Sequence, residues 1–209
     1  MFLRPNTVVV PTEHHDYGDW HQGRQNYALW YLEIEQTNLL DYLEHLRLQF
    51  SDILFQPNTR QFHITLFICG FYTEKAPLFN DDFSKTQFEV QIKQLIDAHI
   101  KTFTIKTTKL NSFESALFIE IEDHHQILSK IRLILSQQAI EIAPLDYCPH
   151  ITLGLYKDAI QSNDVFERIA NIQQTDFEID INHLTFGCYQ AQHLQGPLQA
   201  FYQHTLESA

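Results

Sequence analysis

The sequence predicts an α+β protein with a duplicated core. Along its 209 residues, predicted strands alternate with amphipathic helices or follow one another directly, a pattern typical of antiparallel sheets covered by helices on one face. The second observation is a repeat, because the tetrapeptide of residues 63–66 returns unchanged at 150–153. A duplicated strand–helix–strand unit predicts a pseudo-two-fold axis that carries the two tetrapeptides to equivalent places.

The first repeat follows an irregular leader, residues 1–26, which contains Pro, Gly and several His. Residues 27–35 predict a strand because aromatic and aliphatic side chains dominate there and the last four positions alternate apolar with acidic. A helix capped by Thr37 or Asn38 comes next, with its leucines in one stripe. A second strand over 61–70 completes the unit and carries the first tetrapeptide.

The remaining elements follow from the same patterns. We treat residues 27–209 as a single domain, with an internal repeat of 27–70 and 114–157. After a loop near 73–82, the sequence predicts three helices and six strands: helices over 84–98, 124–137 and 164–169, and strands over 103–110, 115–122, 147–156, 177–181, 184–189 and 198–204.

The duplication extends well beyond the tetrapeptide. The pentapeptide 31–35 aligns with 118–122, and four further positions match without a gap: Leu46 with Leu133, Leu48 with Leu135, Ile53 with Ile140, and Pro57 with Pro144. A short motif often matches by chance, but chance does not place it at the same point of two similar units. A third His-x-Thr, at 183–185, lies outside the repeat, and we expect it to be an ordinary pair of strand residues.

The repeated motif supplies acid–base chemistry. Strand residues two apart face the same side, so His63 shares a face with Thr65, and His150 with Thr152. An imidazole can act as general acid or general base near neutral pH. Threonine hydroxyls can donate hydrogen bonds to non-bridging phosphate oxygens. The pattern indicates phosphoryl transfer that needs no metal, and the histidine pairs elsewhere in the chain lack the geometry of a chelate.

Four further residues are candidate substrate contacts. Arg60, three residues before His63, is the best cationic candidate for a phosphate or a base, and Tyr147 occupies the matched position in the second repeat. Tyr31 and Phe118 also match and would present aromatic rings to a base. The alternatives are a plain surface charge for Arg60 and ordinary strand aromatics for the matched pair.

Composition limits the partners. The net charge of −12, with only 14 Lys and Arg, argues against a grip on long nucleic acid, because such proteins carry a basic footprint. A nucleotide or a short RNA end is the expected partner. No apolar run is long enough to span a bilayer, and the first residues lack a signal-peptide pattern. Three cysteines without metal-ligand spacing indicate free thiols in a reducing cytoplasm. We expect a monomer.

The paired tetrapeptides, and the hexapeptide 149–154 above all, resemble the 2H phosphoesterase superfamily, which includes 2′-5′ RNA ligase-like proteins and RNA 2′,3′-cyclic phosphodiesterases. The resemblance covers residue 27 to the C-terminus. It implies a bilobal fold in which two antiparallel sheets face a central cleft, with helices outside. It also implies that His63 and His150 form the acid–base pair and that Thr65 and Thr152 bind phosphate.

The function implied is hydrolysis of the 2′,3′-cyclic phosphate of a nucleotide or RNA end to a 2′-phosphate, with no cofactor. Which histidine is acid and which is base stays open at this point. Two alternatives remain: cleavage or ligation of 2′-5′ phosphodiesters, and a non-catalytic nucleotide-binding module. The leader either covers the mouth of the cleft or packs against one lobe.

Overall fold

A computed structural model describes residues 1–137, 139–142 and 146–208. These residues form five helices and nine strands. The helices are α1 (Gly18–His21), α2 (Thr37–Gln49), α3 (Lys85–Asp97), α4 (Ile127–Leu135) and α5 (Ser162–Ala170). The strands are β1 (Asn26–Glu33), β2 (His63–Thr73), β3 (Asp82–Ser84), β4 (Phe103–Ser112), β5 (Ala116–Glu122), β6 (His150–Leu155), β7 (Glu178–Ile181), β8 (His183–Gln190) and β9 (Gln199–Thr205).

The strands form two antiparallel halves of one curled sheet. One half has the order β7-β4-β5-β6 and the other the order β2-β1-β8-β9, while the short β3 pairs parallel to β2. The halves join where β2 meets β6, through the single antiparallel pair Ile64 and Ile151. The predicted α+β bilobal fold, with two antiparallel sheets facing a cleft and helices outside, is confirmed, and in the structure the two sheets are the halves of one curled sheet. The two motif strands are therefore direct neighbours at the centre of the sheet.

Sequence patterning explains the main elements. Leu39, Leu43 and Leu46 form the buried stripe of α2. A capping box begins α3: the Ser84 hydroxyl accepts from the Gln87 main-chain N–H, and the Gln87 side chain accepts from the Ser84 N–H. Thr37 and Asn38 lie inside α2 rather than at its cap, which is Gln36 without a side-chain hydrogen bond, so the predicted cap was wrong.

The helices cross between the halves. Helix α2, from the first repeat, contacts β6 of the second half more extensively than any other strand, and α4 likewise contacts β2. Two arginines mark this exchange. Arg47 on α2 donates through Nε to the carbonyl of Leu153, and Arg132 on α4 donates to the carbonyl of Leu66. Leu66 and Leu153 are the equivalent fourth residues of the two tetrapeptides, so the pseudosymmetry includes the helix contacts.

The ungapped repeat fails in the helices, which corrects the sequence alignment. Leu46 is buried, whereas its aligned partner Leu133 is 68% exposed. In the next aligned pair the burial is reversed, because Leu48 is 70% exposed and Leu135 is fully buried. The buried positions of α4 are Leu128, Ile131 and Leu135, which lie one or two residues beyond the positions aligned with the buried stripe of α2. The last aligned partner, Pro144, lies outside the described residues.

The leader contacts both halves of the sheet. Its early part is bound to the second half, where Val10 donates to the carbonyl of Glu114 at 2.7 Å and Thr12 to that of Tyr156 at 2.7 Å. Its last residues are bound to the first half, where the Arg24 guanidinium pairs with Asp81 and Asp82. The short helix α1 between these anchors was not predicted. The leader therefore crosses from one half to the other.

Candidate active site

The two His-x-Thr motifs lie side by side on β2 and β6. Because Ile64 pairs with Ile151 in antiparallel register, the adjacent positions place His63 opposite Thr152, and Thr65 opposite His150. Both isoleucines are fully buried on the other face of the sheet. The four motif side chains are half-buried and share one face. The local two-fold axis thus passes between the two isoleucines.

The imidazoles are oriented by equivalent main-chain carbonyls. His63 donates from Nδ1 to the carbonyl of Gln61 at 2.8 Å, and His150 donates from Nδ1 to the carbonyl of Cys148 at 2.7 Å. A carbonyl can only accept, so both rings carry a proton on Nδ1. Each Nε2 is then the atom that can take up or release a proton. The two carbonyls occupy the same place relative to the two motifs.

An aromatic ring supports each imidazole at matched positions of the repeat. Tyr31 packs edge-on to His63 with ring centroids 5.8 Å apart, and Phe118 packs edge-on to His150 at 5.2 Å. Phe113 adds a second edge contact to His150 at 4.9 Å. Tyr31 and Phe118 are fully buried. Burial speaks against the predicted stacking on a base, because neither ring presents a face to a ligand.

Burial favours the neutral form of both imidazoles. The pKa of His63 falls from 6.5 to about 4, first because of desolvation and then because of the nearby positive charge of Arg60 and of His150 when protonated. Desolvation also lowers the pKa of His150. At neutral pH each ring therefore has a free lone pair on Nε2, which is the form a general base needs. A bound phosphate anion would raise both pKa values.

A cavity of about 240 Å³ opens beside the motif strands, and we call it the central cavity. It is lined by His63, Thr65 and Thr152 of the motifs, together with Tyr27, Leu29, Arg47, Asn58, Arg60, Gln61, Ile68, Leu155, Tyr189 and Gln195. His150 does not line it directly but lies opposite Thr65 on the adjacent strand. The cavity thus contacts three of the four predicted motif residues.

Positive charge is concentrated at this cavity. Arg47 and Arg60 line it, and no Asp or Glu does so among the described residues. The Arg60 guanidinium lies over the Tyr189 ring at 3.9 Å, and its Nε donates to the carbonyl of Gly196 at 2.9 Å. Arg47 lies over the Phe62 ring at 3.9 Å. Within a chain of net charge −12, the site presents a local positive field suited to a small anion.

A family model described as the 2′-5′ RNA ligase superfamily matches residues 36–192, which include both motif strands and both arginines. The chain belongs to this superfamily. The match confirms the resemblance to 2H phosphoesterases that the paired tetrapeptides carry. A search of curated proteins finds no significant match.

Solved structures show the same fold at low identity. E. coli LigT complexed with 3′-AMP is 14% identical, with a TM-score of 0.61, and the alignment covers 88% of this chain and 99% of that one. A structure described as a phosphoesterase is 10% identical with a TM-score of 0.57, covering 88% and 99%. A Thermus thermophilus protein described as TT0787 is 10% identical with a TM-score of 0.59, covering 87% and 98%. LigT is also known complexed with ATP.

Of the remaining residues that the sequence analysis names and the structure describes, only Arg60 lies at the central cavity. Tyr147 does not; its hydroxyl donates to the main-chain carbonyl of Thr65 at 3.1 Å, and the Arg132 guanidinium lies over its ring at 3.9 Å. Tyr147 therefore links the motif strands and is not placed to touch a ligand in the cavity. The third motif lies two strands from β2, with the Thr185 side chain fully buried.

Several residues at the cavity had no sequence signal. Arg47 lies in the last turn of α2, and its sequence context indicates a surface charge, since only the crossing of α2 onto β6 brings it to the site. Tyr189 and Gln195 come from β8 and the turn after it, far from both motifs in sequence. Glu33 pairs with His63 across the strands, yet the carbonyl of Gln61 is the partner of the imidazole.

Two further observations concern metals and membranes. Over residues 1–137, 139–142 and 146–208, no group of three or more His, Cys, Asp or Glu side chains could hold a metal ion. The expectation of metal-free chemistry stays a prediction. None of the helices in the described ranges has the length and apolar character needed to cross a bilayer.

Proposed function

We propose that this protein is a metal-independent cyclic phosphodiesterase that opens the 2′,3′-cyclic phosphate of a nucleotide or RNA end to a 2′-phosphate. One observation supports it above the others: two His-x-Thr motifs lie side by side, each imidazole fixed through Nδ1 so that Nε2 is the reactive atom. The three free cysteines favour a reducing compartment, and we place the protein in the cytoplasm.

The reaction needs one base and one acid. The neutral histidine accepts a proton from water through Nε2 as the water oxygen bonds to phosphorus. The P–O3′ bond breaks, and the protonated histidine gives its Nε2 proton to the departing O3′, leaving a 2′-phosphate. Thr65 and Thr152 donate hydrogen bonds to the non-bridging oxygens, where charge is held in the transition state. Arg60 and Arg47 attract the anion.

We propose His63 as the base and His150 as the acid. Burial first, and then the positive charge of Arg60, lower the pKa of His63, which favours its unprotonated form. His150, whose pKa is lowered by burial without a contribution from Arg60, is protonated more readily beside a bound phosphate and acts as acid. In the reverse reaction the roles exchange.

The superfamily description supports one alternative reaction, which acts on 2′-5′ phosphodiesters. Cleavage or ligation of a 2′-5′ phosphodiester uses the same acid and base, with a ribose oxygen in place of water. Arg47 and Arg60 are the two cationic residues that line the cavity of about 240 Å³ in the described part of the chain, which favours a short RNA end over a long RNA backbone.

The test is turnover of 2′,3′-cyclic nucleotides and of RNA ending in a cyclic phosphate, with products identified by mass. We expect a 2′-phosphate, and we expect His63→Ala and His150→Ala to lose about 10²- to 10⁴-fold in rate. His183→Ala is the matched control, because it removes a histidine of the same motif that does not line the central cavity and lies at the opposite end of β8 from Tyr189. An equal loss for His183→Ala, or nucleotide binding without any product, would refute the proposal.

A further inference from the structure

A second cavity of about 430 Å³ lies against the central cavity, between the leader and the turn after β8, and we call it the leader groove. The leader supplies one wall, which includes His15, Tyr17 and Trp20. The turn at 191–195 supplies the opposite wall. Four residues line both cavities: Arg60, Leu155, Tyr189 and Gln195. The two cavities therefore meet along a shared wall.

The leader holds aromatic rings in place within this groove. Trp20 packs against Tyr27 and Phe71, with ring centroids 4.9 Å and 5.1 Å away, and remains 37% exposed. Tyr17 is 39% exposed, and its ring lies 3.9 Å from that of His15. An indole fixed by two neighbours and still open on one side is a preorganised platform for a planar, sequence-tolerant ligand such as a nucleobase.

The charges favour a nucleotide over a cationic or peptide ligand with basic groups. In the described part of the chain, no Asp or Glu lines the leader groove, whereas the Arg60 guanidinium does. No described carboxylate pairs with Arg60, whose neighbours are the Tyr189 ring and the Gly196 carbonyl. Because Arg60 lies in the wall that both cavities share, its guanidinium is placed for a phosphate that connects a group in one cavity to a group in the other.

We infer that the leader groove binds the nucleotide next to the one that carries the reacting phosphate. Its base stacks on Trp20 and Tyr17, and Arg60 contacts the phosphodiester that links the two nucleotides. This inference rests on the proposed function for the reacting phosphate, and it names the substrate class as an oligonucleotide end rather than a mononucleotide. The leader is then a part of the substrate site, which its crossing between the two halves makes possible.

The kinetic test compares a dinucleotide that ends in a 2′,3′-cyclic phosphate with the corresponding mononucleotide. Stacking of one added base predicts a kcat/KM ratio of roughly tenfold in favour of the dinucleotide. Tyr17→Ala and Trp20→Leu should bring that ratio close to one through KM. Leucine keeps apolar contact with Tyr27 and Phe71, so the leader stays folded. Phe201→Ala, at an exposed ring on β9, is the matched control and should keep the ratio.

A binding test makes the inference independent of turnover. The chain has two tryptophans, and Trp30 is fully buried, so a base that stacks on Trp20 should quench fluorescence in the wild type and not in Trp20→Leu. The probe is a dinucleoside monophosphate without a cyclic phosphate. Quenching without turnover of any substrate would support the groove and refute the proposed chemistry. Equal turnover of both substrates, or a dinucleotide preference unchanged in both variants, would overturn the inference.

Discussion

Acid should destabilise this protein through the histidines of its own site. The imidazole of His63 has its pKa lowered from 6.5 to about 4, so between these values the unfolded chain binds a proton that the folded chain refuses. Stability therefore rises with pH through this window and falls as the pH drops from 6.5 towards 4. Replacing His63 with asparagine removes the effect and keeps an N–H that can reach the Gln61 carbonyl.

The magnitude follows from the size of the shift. A shift from 6.5 to about 4 is worth at most about 3 kcal/mol. Between pH 7 and pH 4.5, linkage predicts a loss of about 2 kcal/mol of this stabilisation. The ring is half-buried and borders an open cavity, so solvent screening reduces the expected difference to about 1 kcal/mol.

The assay is urea denaturation of the wild type and of His63→Asn at pH 7 and at pH 4.5. Every other titrating group is common to both proteins, so the difference in unfolding free energy between them isolates the histidine. We expect this difference to move by about 1 kcal/mol in favour of the variant on acidification. His125→Asn, at an exposed position outside the cavity, is the control substitution. If His63→Asn follows the pH dependence of the wild type, the imidazole is not held neutral by its surroundings.

Three further predictions concern catalysis and phosphate binding. The pH profile of kcat/KM should be bell-shaped, with its acidic limb below pH 6.5 because the pKa of His63 is lowered. EDTA should leave the rate unchanged, and a loss of activity in EDTA would indicate a required metal. Thr65→Val and Thr152→Val should each lower kcat by about 10- to 10³-fold, since each removes a hydrogen bond to the developing charge, and circular dichroism should show an intact fold. Arg60→Met should raise the Kd for inorganic phosphate, measured by calorimetry in low salt, more than the exposed-site change Lys130→Met does.

The sequence was most informative where side-chain type and strand period act together. The two tetrapeptides predicted the motif strands, and alternation correctly placed Ile64 and Ile151 in the core with the His-x-Thr residues on the opposite face. The sequence did not correctly predict which face of the second repeat's helix is buried. Leu46 and Leu133 match in the aligned repeats, yet one is buried and the other exposed, because a slip of one or two residues turns a helix far enough to exchange its faces.

The rest of the site depends on contacts between distant segments. Arg47 reaches the cavity only because α2 crosses onto the other half of the sheet, and Tyr189 only because β8 pairs with β1. A leader that contains Pro and Gly predicts irregular backbone but not where that backbone lies. Its attachment to both halves, through Thr12 and Arg24, brings Trp20 into the wall of the leader groove, and no local sequence pattern predicts such a path.

The exchange of helices between the halves has a consequence for each repeat taken alone. A single repeat expressed alone would leave the apolar stripe of its helix without the strand it covers, and its motif strand without a helix. In two copies placed side by side, the helix of each copy would cover the motif strand of the other. With α2 packed on β6 and α4 packed on β2, the two repeats interlock as the subunits of a symmetric dimer do, and neither repeat alone contains both His-x-Thr motifs.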